Sequence, residues 1–192
     1  MFQNIQVLAS YTVLEAIRNR LLWLVSCLII IALVFSAFAG NLALTESAHF
    51  QVSIASFLLR IGAVVLASLL VVSGTIRDFA DKNHELVLST AVTRSQFFMG
   101  RLLGYLMVST LIGLCSGIPL LLYAPVSATV TWMISIALEV CLITTLSLVL
   151  ALILSNLTLS VLVVLIFYIL SRSMPAIDQI AHSPAVDQAA TS

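Results

Sequence analysis

His84-Glu85 opens as an H-E-x-x-H zinc motif would, but position 88 is leucine, so the second imidazole one helical turn on is missing. His49 and His182 fall in other connections or tails, and no shared metal site is expected. Cys27, Cys115 and Cys141 lie inside long apolar runs with neither paired nor metal-binding spacing. Lys82 is the single lysine, and there is no G-x-x-x-x-G-K-[ST] loop to cradle a nucleotide. Serine is common, yet no G-x-S-x-G elbow occurs, and no histidine lies within an apolar run to activate a serine there. Asn156-Leu157-Thr158 matches a glycosylation sequon, at a turn expected on the cytoplasmic side. The reading is of a chain that is not an enzyme, with no catalytic, cofactor-binding or metal-binding residues.

Two charges stand where charges are expensive. Arg60 and Glu139 each interrupt an otherwise apolar run, roughly 9 and 13 Å from the outer ends of their helices at 1.5 Å per residue. An unpaired charge in lipid costs at least about 2.5 to 3.5 kcal/mol, so the two are candidates to pair with each other. They could line a route or gate, clamp two helices together, or leave Arg60 to snorkel outward alone.

The elements that hold these residues follow from composition. The chain has 192 residues, of which 8% are charged, where soluble domains carry roughly 25%. The apolar fraction of 61% and a mean hydropathy of +1.19 leave too little polar surface for a water-soluble fold. Eight basic and eight acidic residues cancel, which excludes a strongly cationic surface for nucleic acid. A bilayer core needs roughly 20 apolar residues per helix. Residues 21–44, 54–76, 102–123, 130–154 and 157–171 meet or nearly meet that demand, the last being short. Pro119 and Pro125 predict a break between the third and fourth spans, and Ser155-Asn156 a tight turn before the fifth. The small residues after Arg18 and Arg20, ending at Ala39-Gly40, look like a signal-peptidase site, but the uncharged run is too long for a signal core and is read as a retained first span. The fold class is thus an all-α membrane protein, a bundle of about five transmembrane helices in a lipid bilayer.

Orientation follows from Arg18 and Arg20 before the first span and Arg77, Lys82, Arg94 and Arg101 between the second and third, against no Lys or Arg in the connections 46–53 and 124–129. The positive-inside rule then puts the N-terminus and the middle loop in the cytoplasm. Residues 1–20 predict a mildly amphipathic helix, either along the interface or as a solvated leader, with Phe2, Ile5, Leu8, Thr12 and Glu15 at three- and four-residue spacing. The loop 77–101 is too long for a simple turn. Its polar entry runs into Leu86, Val87 and Leu88, which suits either a cytoplasmic partner or the membrane surface. The tail 173–192 reads as a polar surface segment.

Small residues form a second pattern. Ser53, Ser56, Arg60, Ala63, Ala67, Leu70 and Gly74 make a stripe on the second span that lets another helix come close. In the third span the pairs Gly100/Gly104 and Gly113/Gly117 point about 220° apart, so close contact is expected on two sides.

The leader Thr12-Val13-Leu14-Glu15-Ala16-Ile17-Arg18-Asn19-Arg20 and the loop Arg77-Asp78-Phe79-Ala80-Asp81-Lys82-Asn83-His84-Glu85-Leu86-Val87-Leu88-Ser89-Thr90-Ala91-Val92-Thr93-Arg94, followed by Gly100-Arg101, resemble those of the type-2 ABC transporter permeases, membrane subunits of ATP-driven exporters. The resemblance covers about residues 7–172. It implies a connecting helix over 1–20, carrying Glu15, Arg18 and Arg20, and a transmembrane permease domain over 21–172. It also implies a cytoplasmic coupling helix within 77–101. Glu85, Leu86 and Leu88 would form the ridge that sits in a cleft of a separate ABC ATPase subunit, and Arg94 would anchor the following turn. Substrate would pass across the bacterial inner membrane between this chain and a second permease copy, in a homo- or heterodimer. Alanine stands at position 91 where the family usually has proline, and five spans stand where it has six, which implies that the last transmembrane helix is lacking. A non-transporting scaffold of a larger membrane complex is the alternative from another class, and an intramembrane enzyme built on Glu139 is a second.

Overall fold

The computed structural model describes residues 2–18, 21–42, 47–80 and 94–181; positions 81–93, among others, lie outside the described residues. Among the described residues the chain is all helical. The helices are α1 (Phe2–Arg18), α2 (Leu21–Leu42), α3 (Ser47–Ala80), α4 (Arg94–Gly117), α5 (Val126–Leu154) and α6 (Leu157–Ala181), with a 3-10 turn at Ile118–Leu122. Five of them, α2 to α6, are long and apolar enough to cross a membrane, which is compatible with a multi-pass membrane protein. With 34 residues α3 is about 51 Å long and overruns a bilayer core.

The breaks have local causes. Pro119 cannot donate to the α4 ladder, and the chain tightens into the 3-10 turn, where the Tyr123 and Ala124 amides both donate to the Leu120 carbonyl at 3.0 and 2.9 Å. Pro125, extended at φ −62° and ψ 147°, then caps α5. At the other end of α5, Ser155 takes the left-handed conformation (φ 49°) and its amide closes on the Ala151 carbonyl at 3.2 Å. Asn156 starts α6 by accepting the Leu159 amide on Oδ1 at 3.3 Å.

Helix α3 is the hub, packed against α2, α4, α5 and α6. Its small residues Ala63 and Ala67 are fully buried and share one cluster with Ile136 and Val140 of α5 and Val108 and Ile112 of α4. A Cβ added at Gly104 would meet Thr12 and the Ala9 carbonyl of α1, and one at Gly113 would meet the α5 backbone at Ala137. The two glycine pairs of α4 thus admit α1 on one side and α5 on the other.

Several boundaries differ from the sequence reading: α3 begins at Ser47 and α5 at Val126, inside the connections expected at 46–53 and 124–129. Residues 77–80 continue α3 and residues 94–101 belong to α4, so the segment joining them shrinks to 81–93. Charged side chains at a helix end need only reach an interface or a partner, and do not stop the helix. Likewise α6 continues through Pro175 to Ala181, which makes the start of the supposed tail helical.

Candidate functional site

Two charge clusters lie at opposite ends of the bundle. One end, called basal here, holds α1, the last turn of α3 and the first turns of α4. The distal end holds the 3-10 turn, the start of α5 and the end of α6.

At the basal end Arg101 is buried, with 6% of its surface exposed. Its Nη1 donates to Glu15 Oε2 at 3.0 Å and to Thr12 Oγ1 at 3.1 Å, both on α1. Its Nη2 pairs with Asp78 Oδ2 on α3. The guanidinium also lies 5.4 Å from the ring centre of Tyr105, one turn further along α4. Tyr105 in turn faces Thr75 of α3, whose hydroxyl donates to the Val71 carbonyl at 2.7 Å. One cation therefore ties three helices, and two carboxylates against one guanidinium leave the node with a net negative charge. The node is built by periodicity: Thr12 and Glu15 sit three apart on α1, and Arg101 and Tyr105 four apart on α4, so each pair shares a face. Leu8 packs over Gly100, and Ala9 and Thr12 over Gly104, holding α1 close enough for the contact.

At the distal end Arg60 Nη1 meets Glu139 Oε2 at 3.1 Å, so the two intramembrane charges come together. Arg60 lies 5.6 Å from the ring centre of Trp132, and its Nη2 reaches Ser135 Oγ at 3.5 Å. Tyr168 of α6 faces the Glu139 carboxylate. Trp132, Ser135 and Glu139 fall at three- and four-residue steps along α5, which presents all three to one arginine.

The remaining residues singled out in the sequence are placed as follows. Glu85, Leu86, Leu88 and Arg20 lie outside the described residues, Arg94 opens α4, and Arg18 closes α1 with its side chain exposed. Glu15 belongs to the Arg101 node. Thr12, Asp78, Arg101, Tyr105, Trp132, Ser135 and Tyr168 are members that the sequence reading did not assign to either charge cluster. Asp78 was read as loop, Arg101 stood at the edge of a span where solvent or headgroups would satisfy it, and a tyrosine in an apolar run gives no signal.

Between α4 and α5 runs a third polar feature. The buried Ser109 and Thr144 hydroxyls hydrogen-bond to each other, and Thr110 Oγ1 lies 3.4 Å from Cys141 Sγ. Among the described residues no group of three or more metal-ligating side chains occurs. An apolar cleft of about 710 Å³ opens between α2 and α4, floored by Val13 and Ile17 of α1. The arrangement links helices to one another through ion pairs and hydrogen bonds. No family model matches the chain, and no curated protein matches it.

Proposed function

We propose that the chain is the membrane-spanning permease subunit of an ATP-driven exporter, with its basal end in the cytoplasm and residues 77–101 engaging a separate ATPase subunit. The observation that carries this reading is the Arg101 node. The segment 81–93 leaves α3 three residues after Asp78 and enters α4 seven residues before Arg101, so both of its flanks are fastened through one guanidinium to α1. A push on that segment reaches α3, α4 and α1 together rather than one helix alone. The type-2 permease resemblance of the leader and loop supports the same assignment, and the excess of basic residues at this end supports a cytoplasmic placement. The chain acts with a second permease copy, and movement of rigid α3 and α4 opens and closes a passage between them.

The test is co-purification. Full-length protein carrying Glu85→Ala and Leu88→Ala is expected to insert in the membrane at the level of the unsubstituted chain but to lose the ATPase that the unsubstituted chain retains. Undiminished ATPase capture by the double variant would remove the coupling role.

A further inference from the structure

At the distal end, a pocket of about 280 Å³ opens between α3 and α6 beside the Arg60–Glu139 pair. Phe57, Arg60 and Ile61 line it from α3, and Tyr168, Ile169 and Arg172 from α6. Its polar members are unbalanced. Glu139 answers Arg60, and the neutral Tyr168 faces the same carboxylate. Among the residues whose side chains are described, which do not include Asp178, Arg172 makes no ion pair. Two guanidiniums against one carboxylate leave one positive charge, so the pocket selects an anion.

Its walls select an amphiphile. Phe57 and Ile169 are 61% and 64% exposed and face outward from the bundle. Arg172 lies near the end of the apolar stretch Leu157–Met174, one turn beyond Tyr168, from where a long side chain can snorkel toward the headgroups. Tyr168 is one turn deeper, about 6 Å at 1.5 Å per residue, and the Arg60–Glu139 pair is only partly covered, at 13% and 21% side-chain exposure. A ligand here meets a cation at the interface, a graded polar step below it and exposed apolar walls alongside.

We infer that this pocket is a binding site for the headgroup of an anionic phospholipid in the distal leaflet, with Arg172 holding the phosphate and an acyl chain running over Phe57 and Ile169. The inference requires a bilayer but no ATPase, so it stands or falls apart from the transport reading.

Trp132, against Arg60, is the reporter. Trp23→Phe protein, which keeps Trp132 as its single tryptophan, is reconstituted in bilayers of brominated phosphatidylglycerol or brominated phosphatidylcholine mixed with the unbrominated lipid. Quenching gives the relative affinity for each headgroup. The expected preference for the anionic lipid is about fivefold, the factor equivalent to about 1 kcal/mol for one basic residue at a membrane surface. Arg172→Ala should reduce the ratio to about one, and Arg172→Lys should keep most of it. Arg172 is exposed, so these variants are expected to fold, and size-exclusion profiles check that they do. Equal quenching by the two lipids, or an unchanged ratio in Arg172→Ala, overturns the assignment. Inorganic phosphate in the buffer separates the sources. A preference that persists supports a lipid ligand, whereas its loss identifies a site for free phosphate and overturns the lipid.

Discussion

An unpaired charge in lipid is costly, and Arg60 and Glu139 answer each other at 3.1 Å where few other charges stand. Their aromatic and hydroxyl companions Trp132, Tyr168 and Ser135 were not legible, since such residues are at home in any apolar helix. The pair bears a direct test. Glu139→Leu leaves Arg60 facing an apolar helix and should lower stability by about 2.5 to 3.5 kcal/mol. The double change Arg60→Leu with Glu139→Leu should restore most of that loss, because two well-packed apolar side chains often replace a buried ion pair at little cost. Thermal unfolding of the three proteins in detergent measures the coupling. A double variant as unstable as the single one would show that the charges do more than neutralise each other. At the other end, Arg101→Gln strands Asp78 and, more mildly, the partly exposed Glu15, and should cost about 3 to 5 kcal/mol. Glu15→Gln, which leaves the Asp78 pair in place, should cost clearly less in the same assay.

Among the elements, helix existence and the two breaks near Pro119–Pro125 and Ser155–Asn156 were readable from apolar run length and from residues that end a ladder. The helix ends at 80 and 94 were not, because Arg77, Asp78 and Arg101 mark where the lipid stops, and a helix needs no lipid to continue. Glycine spacing on α4 carried the packing directions, and it yields a contrast between two substitutions. At Gly104 a new Cβ would stand 2.5 Å from Thr12 Cβ and 3.0 Å from the Ala9 carbonyl oxygen, neither of which can rotate away. At Gly62 the clash, at 2.1 Å, is with the end of the flexible Leu28 side chain. Gly104→Ala should therefore cost about 1 to 3 kcal/mol by forcing α1 off α4, and Gly62→Ala less. Detergent melting curves rank the two. A larger loss at Gly62 would mean that α1 is not held against α4 as described.

At the scale of the molecule, successive long helices run in alternating directions between the two ends of the bundle. The end of α3, the start of α4 and the Ser155–Asn156 turn share the side that holds α1, and Ala124 lies on the other. Arg18, Arg77 and Arg101 cluster at the basal end, and the proposed cytoplasmic placement of that end follows the positive-inside rule. Residues 46–53 and 124–129, toward the distal end, contain none, although Arg60 and Arg172 lie in the distal half, the first held by Glu139. In a background with Cys27, Cys115 and Cys141 replaced by alanine, single cysteines at positions 84, 124 and 156 report the arrangement. A membrane-impermeant maleimide applied to intact cells should label position 124 and spare 84 and 156 until the membrane is permeabilised. Labelling of 84 and 156 but not 124 would keep the five-helix bundle and invert it, placing residues 81–93 where no ATPase can reach them. Labelling of 84 together with 124 would instead deny that α4 crosses the membrane, and with it the separation of the Arg101 and Arg60 clusters onto opposite faces.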